Sequence, residues 1–85
     1  MPTITVYSGP NCPYCVRAKA LLQKKGVTFE DVDIKADPAK REDMLKLSNG
    51  KQTIPQIFIN GQHIGGCDDL YALDAAGKLD AMLVQ

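Results

Sequence analysis

The residues of this chain whose types and spacing indicate chemistry are the two cysteines of Cys12-Pro13-Tyr14-Cys15. A β-branched run ends shortly before them, and a run with helical periodicity follows directly. Two cysteines three positions apart, at a junction between strand and helix, are typical of a thiol–disulfide redox centre. The sequence therefore predicts reversible oxidation of this pair.

The two cysteines are expected to differ in reactivity. A thiol attacks a disulfide as its thiolate, and an ordinary cysteine with a pKa near 8.5 is only about 3% ionised at pH 7. Cys12 falls at the expected N-cap of the helix, where N–H groups of the first turn and the helix dipole favour a negative sulfur. Cys15 lies one turn later on the same face and is more sheltered. We therefore predict Cys12 as the nucleophile and Cys15 as the resolving thiol.

A zinc site is the alternative interpretation of the motif. A tetrahedral site needs two further ligands, and the sequence offers only Cys67 and His63, without a second ligand pair at short spacing. Two unrelated free cysteines are the remaining alternative. We favour the redox pair over both.

Length and composition indicate the class of protein. The chain has 85 residues, 45% of them hydrophobic, with a formal net charge of zero. This length suits one domain, which we place at residues 1–85. The balanced charge gives no reason to expect nucleic acid or an anionic membrane as partner. Without a signal-peptide pattern or an apolar run near the roughly 20 residues of a membrane span, we expect a cytoplasmic protein. Three cysteines, too few for a disulfide scaffold, also favour a reducing compartment.

Strand-like and helix-like segments alternate along the chain and predict an α/β domain. The predicted strands cover residues 3–7, 27–34, 56–59 and 62–64. The predicted helices cover residues 13–25, residues 38–47 after an Asp37 N-cap, and a final region, residues 68–83, that Gly77 interrupts. Asn60-Gly61 predicts a two-residue hairpin, and the helical crossover makes the first two strands parallel. The order is βαβ followed by ββα.

Three motifs occur together in this chain, in the order known from one protein family. They are Cys12-Pro13-Tyr14-Cys15, Thr53-Ile54-Pro55 and Gly65-Gly66-Cys67-Asp68-Asp69-Leu70. On these motifs the chain resembles the glutaredoxin family along nearly its whole length, above all its small bacterial dithiol members. The resemblance implies a thioredoxin-like fold, with a four-stranded mixed sheet flanked by three main helices. Thioredoxins themselves carry a tryptophan before the cysteine motif, and this chain has none.

The resemblance also implies glutathione as the reducing co-substrate, with no tightly bound cofactor and no metal. The residues implied to contact glutathione are Tyr14, Lys51, Thr53, Ile54, Pro55, Gly66, Cys67 and Asp68. In the family the bond before the matching proline is cis, so Ile54-Pro55 is expected to be cis and to present its backbone to an extended peptide. Without the resemblance, Pro55 could equally mark the start of an edge strand.

The third motif is expected to begin a helix. Gly66 permits close approach, and N–H groups near Cys67 and Asp68 could hold the γ-glutamyl carboxylate of glutathione. Asp68 could then pair with the ligand's α-amino group, or it could simply complement the helix dipole. For Cys67 we favour a buried or half-buried residue that lines the groove over a redox role. His63 is interpreted as a polar strand residue, because nothing near it in sequence completes a catalytic pairing.

One position departs from the family pattern. Many glutaredoxins have a lysine three residues before the first motif cysteine, where this chain has Gly9. A cation there favours the thiolate and can bind a glutathione carboxylate. Lys51 is the preferred substitute because it lies near Thr53-Ile54-Pro55 in sequence, and Lys46 and Arg17 are the alternatives. We expect activity to survive this departure.

The predicted function is glutathione-dependent reduction of glutathione mixed disulfides and protein disulfides through Cys12 and Cys15. The implied partners of this monomer are glutathione and glutathionylated or disulfide-containing proteins, with ribonucleotide reductase as one candidate. The alternative function is a carrier in which two subunits hold a 2Fe–2S cluster through the first motif cysteine and glutathione. Carriers commonly have a single motif cysteine, so Pro13 and Cys15 favour redox turnover.

Overall fold

The computed structural model describes residues 2–84 of the chain. In this part, four strands and four helices follow one another along the sequence. They are β1 (Ile4–Ser8), α1 (Pro13–Lys24), β2 (Glu30–Asp33), α2 (Pro38–Leu47), β3 (Gln56–Ile59), β4 (Gln62–Gly65), α3 (Cys67–Ala75) and α4 (Lys78–Leu83).

The strands form one mixed sheet in the order β2-β1-β3-β4. β1 runs parallel to β2, with Ser8 opposite Asp33, and antiparallel to β3, with Tyr7 opposite Gln56. β3 and β4 are antiparallel and form the predicted hairpin. The predicted mixed four-stranded sheet is confirmed, and β1 and β3 are its central strands.

Each face of the sheet has its own core, because successive side chains of a strand point to opposite faces. On one face, α1, α3 and α4 cover the sheet, and the buried residues are Ile4, Val6, Ala18, Leu21, Leu22, Ile57, Ile59, Cys67, Leu70, Leu79 and Leu83. On the other face, α2 contributes Met44, which packs with Tyr7, Ile34 and Phe58. Both central strands are therefore buried on both faces, so the loops that leave them start from fixed points.

The structure differs from the sequence-based expectation at the ends of several elements. β2 begins at Glu30 rather than at residue 27, because Val27 and Phe29 pack against the core without joining the strand ladder. The apolar character of these two residues reflects burial and not strand pairing. The final helical region divides at Gly77, where φ is +74°, so a fourth helix of 6 residues follows the three main ones. Both ends of β1 and the C-terminal end of α1 differ from the prediction by one residue each.

The junction between β4 and α3 requires glycine at position 65, because a side chain there would collide with Asp69. Gly65 has a φ of +121°, and a β carbon there would lie 2.7 Å from Cγ of Asp69 and 2.9 Å from its Cβ. The Asp69 carboxylate occupies this space because it accepts a hydrogen bond of 3.0 Å from the Gly66 N–H, which orders the start of α3. The acidic start of α3 predicted from the sequence is thus confirmed, and Asp69 is the residue that caps it.

Replacing Gly65 by alanine is expected to lower the free energy of unfolding by about 3 kcal/mol, because collision with Asp69 adds to the strained backbone. The matched control is Gly61→Ala. Gly61 also has a positive φ, +80°, but a β carbon there would meet nothing within 4 Å. The control variant should therefore lose only about 1 kcal/mol. Urea unfolding followed by circular dichroism measures both, and equal losses would show that the collision does not occur.

Candidate active site

Cys12 is the N-cap residue of α1, as predicted. Its backbone is extended, with φ −121° and ψ 96°, and its sulfur accepts a hydrogen bond of 3.2 Å from the Cys15 N–H. Pro13 occupies the first helical position, where its missing N–H costs no hydrogen bond. A backbone N–H directed at the sulfur favours a thiolate over a thiol when the pair is reduced.

Cys12 and Cys15 form a disulfide, and their Cα atoms are 5.2 Å apart. This separation is ordinary for a disulfide and requires no change in the backbone of the first helical turn. Burial distinguishes the two sulfurs: Cys12 is half-buried at the surface, whereas Cys15 is only 1% exposed. The order of accessibility predicted from the sequence is therefore found in the structure.

The segment that contains Ile54 and Pro55 adjoins the cysteine motif. The Ile54-Pro55 peptide bond is cis, as the family resemblance implied. The carbonyl oxygen of Ile54 lies 3.9 Å from Sγ of Cys12. The β1–β3 pair explains this approach, because the loop that leaves β1 and the loop that enters β3 lie at the same end of the sheet.

An open cleft of about 160 Å³ lies beside the disulfide. Its lining consists of Tyr14, Thr53, Ile54, Pro55, Gly66, Cys67 and Asp68. These are the residues predicted to contact glutathione, with the exception of Lys51. The structure places Lys51 in an adjoining hollow of about 270 Å³ that shares Thr53 and Gly66 with the cleft.

The other two cations considered as substitutes lie on α1 and α2, and neither lines the cleft. The guanidinium of Arg17 lies 5.6 Å from the centre of the Tyr71 ring, and the Tyr71 hydroxyl donates a hydrogen bond to the Arg17 carbonyl. Arg17 thus connects α1 to α3. Lys46 is an exposed residue in the last turn of α2.

Gln56 is a residue of the site that the sequence analysis missed. It is 3% exposed, and its Nε2 donates to the carbonyl oxygen of Thr53 at 2.9 Å and to the Thr53 hydroxyl at 3.2 Å. Its Oε1 lies 2.6 Å from Nε2 of His63, which sits on β4 as predicted. The sequence did contain one indication of this role, a glutamine between Pro55 and the apolar residues of β3. The buried amide holds the loop that carries Ile54 in place.

The end of β1, just before the motif, is joined to two neighbouring elements. The Ser8 hydroxyl donates to the Asp31 carboxylate of β2, which also accepts a bond of 2.8 Å from Nζ of Lys19 on α1. Partial burial opposes ionisation of this carboxyl, but the bonds from Lys19 and Ser8 outweigh it and lower the pKa of Asp31. These contacts fix the position of α1 relative to the sheet.

Cys67 lines the cleft as a buried thiol and is 4% exposed. Burial raises the pKa of Cys67, the nearby Asp68 adds to this effect, and Arg17 opposes it. The thiol is therefore neutral at pH values where an ordinary cysteine begins to ionise. Its position agrees with the predicted small residue in the wall of the groove.

A metal site and a membrane-spanning helix each place requirements on the described part of the chain. Among residues 2–84, no group of three or more histidine, cysteine, aspartate or glutamate side chains is arranged to hold a metal ion. The zinc interpretation of the motif therefore lacks its further ligands within this range. No helix in the same range has the length and apolar character to cross a membrane.

Comparison with known proteins gives consistent matches. The glutaredoxin family model matches residues 4–64. The chain is 59% identical over 83 residues to glutaredoxin 3 of Escherichia coli strain K12, covering 98% of this chain and 99% of that protein. It is 49% identical over 83 residues to a glutaredoxin of Pseudomonas aeruginosa, covering 98% of each.

Solved structures agree with these sequence matches. The crystal structure of a buckwheat glutaredoxin–glutathione complex matches with a TM-score of 0.88 and 32% identity, covering 98% of this chain and 77% of that one. The solution structure of a glutaredoxin from Brucella melitensis matches with a TM-score of 0.82 and 52% identity, covering 95% and 87%. The predicted thioredoxin-like fold is confirmed, and the chain belongs to the glutaredoxin family.

Proposed function

We propose that Cys12 and Cys15 carry out the thiol–disulfide exchange of a glutathione-dependent oxidoreductase. Glutaredoxins have this activity, so membership in the family confirms the class of enzyme predicted from the sequence. The observation that carries the assignment to these two residues is the position of Cys12. Its half-buried sulfur lies at the start of α1, bonded to the buried Cys15 and beside the cleft bordered by Ile54.

Glutathione is proposed to bind in this cleft as an extended peptide. The buckwheat glutaredoxin structure is a complex with glutathione, which supports the same ligand here. The cysteinyl part would pair with the backbone of Ile54, next to Cys12. The γ-glutamyl carboxylate would accept hydrogen bonds from the N–H groups of Cys67 and Asp68, which lack acceptors within the first turn of α3. Asp68 would pair with the α-amino group.

The first branch of the proposed mechanism reduces a glutathione mixed disulfide. The Cys12 thiolate attacks the glutathione sulfur, the substrate thiolate leaves and takes up a proton, and Cys12 becomes joined to glutathione. A second glutathione thiolate attacks the same glutathione sulfur. Cys12 is released as the thiolate, and oxidised glutathione leaves. The net change converts the mixed disulfide and one glutathione thiol into the substrate thiol and oxidised glutathione.

The second branch reduces a protein disulfide and needs both cysteines. Cys12 attacks one sulfur of the client, which releases the other client thiolate, and the Cys15 thiolate then attacks Cys12 and releases the reduced client. The product is the Cys12–Cys15 disulfide, the form in which the pair is found. Two glutathione molecules return the pair to the dithiol.

We further propose that the protein acts as a single-domain monomer in the cytoplasm, on glutathionylated and disulfide-containing proteins. Ribonucleotide reductase remains a candidate client. The unpaired Cys67 and the redox-active pair suit a compartment that keeps thiols reduced. No observation on the described residues favours the 2Fe–2S carrier, which therefore stays the alternative.

The two branches predict different effects of serine substitutions. Cys12→Ser should lose both activities by at least about 1,000-fold in kcat/KM, because a hydroxyl does not ionise near pH 7. Cys15→Ser should keep mixed-disulfide reduction within about threefold while protein-disulfide reduction falls at least about tenfold. A glutathione-coupled assay on a glutathionylated peptide and on a protein disulfide measures both.

Two controls accompany this experiment. Circular dichroism establishes that each variant is folded, and a parallel assay with thioredoxin reductase as the electron source tests the choice of reductant. Equal loss of both activities in folded Cys15→Ser would contradict the division of roles. Turnover with thioredoxin reductase alone would contradict glutathione dependence.

The buried thiol of Cys67 gives a pH-dependent prediction. Because burial raises its pKa, less thiolate forms at any pH near neutrality, so iodoacetamide should alkylate Cys67 much more slowly than Cys12 in the reduced protein. Its rate should still be rising at pH values where an ordinary thiol has levelled off. Mass spectrometry of each site follows the reaction, and denatured protein, in which Cys67 should react like an ordinary thiol, is the control. Equal rates for the two cysteines in folded protein at pH 7 would refute the prediction.

A further inference from the structure

The side chain of Lys35 lies close to the backbone of Gly9. A β carbon at Gly9 would lie 3.6 Å from Cγ and 3.9 Å from Cδ of Lys35, and 3.0 Å from Cδ1 of Ile54. The aliphatic part of Lys35 therefore lies against the backbone three residues before Cys12. Lys35 was not among the cations considered in the sequence analysis, because it lies 20 positions after Cys15 and 19 positions before Ile54 in the sequence.

Backbone hydrogen bonds determine this position of Lys35. Ser8 lies opposite Asp33 in the parallel β1–β2 pair, and the Ile34 N–H donates to the Ser8 carbonyl at 3.0 Å. The Asp33 carboxylate then accepts bonds from the Lys35 N–H at 2.8 Å and from the Ala36 N–H at 3.1 Å. The turn is therefore held at the level of Gly9 by contacts that do not involve the lysine's charge.

The ammonium group of Lys35 is available for a ligand. Lys35 is exposed, and the salt bridges within residues 2–84 involve Lys19 and Lys25 but not Lys35. The nearby Asp33 carboxylate is used by backbone N–H groups. The stem of Lys35 thus lies beside Gly9, and its ammonium group takes part in none of the salt bridges of the described residues.

The proposed binding mode of glutathione leaves one charged group of the ligand, the glycyl carboxylate, without a partner. With the γ-glutamyl end of glutathione at the start of α3 and the cysteinyl part at Ile54, the remaining glycyl end continues past Ile54, away from α3. Gly9 adjoins both the Ile54 side chain and the Lys35 stem, and neither Gly9 nor Lys35 is among the residues that line the cleft at α3. Lys51, in contrast, shares its hollow with Gly66 and Asp69 on the α3 side.

We propose that Lys35, whose stem lies against Gly9, binds the glycyl carboxylate of glutathione. The proposal rests on the binding mode proposed above. Lys35 then selects for thiol peptides that are negatively charged at this end. An exposed ion pair of this kind changes affinity by about three- to fivefold.

The test compares a glutathionylated peptide with the same substrate built from glutathione glycinamide, which lacks the glycyl charge. The wild-type protein should have a KM about three- to fivefold lower for the carboxylate form. Lys35→Met keeps the aliphatic stem over Gly9 but removes the charge, so it should raise the KM for the carboxylate form to that of the amide. Its KM for the amide and its kcat should stay unchanged, and Lys35→Arg should retain the preference.

Two further variants control the comparison. Lys24→Met removes an exposed lysine at the other end of α1, roughly 16 Å from the motif along the helix axis, and should leave the preference intact. Lys51→Met tests the competing assignment. An unchanged preference in Lys35→Met, or its loss only in Lys51→Met, would overturn the proposal while turnover persists. Failure of the wild-type protein to reduce either substrate would instead overturn the proposed function.

Discussion

The antiparallel pairing of β1 with β3 is the constraint on which the active site depends. Tyr7 lies opposite Gln56 in this pair, so the chain leaves β1 and enters β3 at the same end of the sheet. The motif cysteine Cys12 follows one of these strand ends, and Ile54 precedes the other. This is why Sγ of Cys12 meets the Ile54 carbonyl across a sequence separation of 42 residues. Burial of both strands on both faces holds the arrangement in register.

The different environments of the two cysteines follow from the amphipathic face of α1. Cys15 lies on the same helix face as Ala18 and Leu22, which are fully buried, and so it is sheltered from solvent. Cys12 precedes the helix and escapes this face, while the open first turn donates an N–H to its sulfur. One structural element thus creates an accessible sulfur and a sheltered one within bonding distance. The proposed division into nucleophile and resolving thiol needs no further group.

Local sequence signals were sufficient for most of the fold. Asn60-Gly61 predicted the β3–β4 hairpin, and Asp37 predicted the start of α2, because turn and cap chemistry act over a few residues. The start of β2 could not be predicted from Val27 and Phe29, since their apolar side chains pack against the core although their backbone does not pair. The split after α3 was indicated by Gly77, whose left-handed backbone ends the helix.

The site was predictable where residues act through a motif and unpredictable where they act through tertiary contacts. Seven of the residues implied by the family resemblance line one cleft, because their motifs end or begin elements at the same end of the sheet. Gln56 was missed because its role depends on burial beside Thr53 and His63, which only the β3–β4 pair brings about. A polar residue in an apolar strand has many structural roles, and its sequence neighbours do not distinguish them.

The position of the cation near Gly9 shows the same limit most clearly. Proximity in sequence favoured Lys51 as the replacement for a lysine at position 9, yet the parallel β1–β2 register brings Lys35 to that position instead. The strength of an exposed ion pair depends on distance and solvent, not on which segment supplies the charge. The chain thus has glycine at position 9 and a lysine from the turn after β2 against the same stretch of backbone. Under the proposed binding mode, the charge at the glycyl end of glutathione comes from the turn after β2 and not from the loop that carries Cys12.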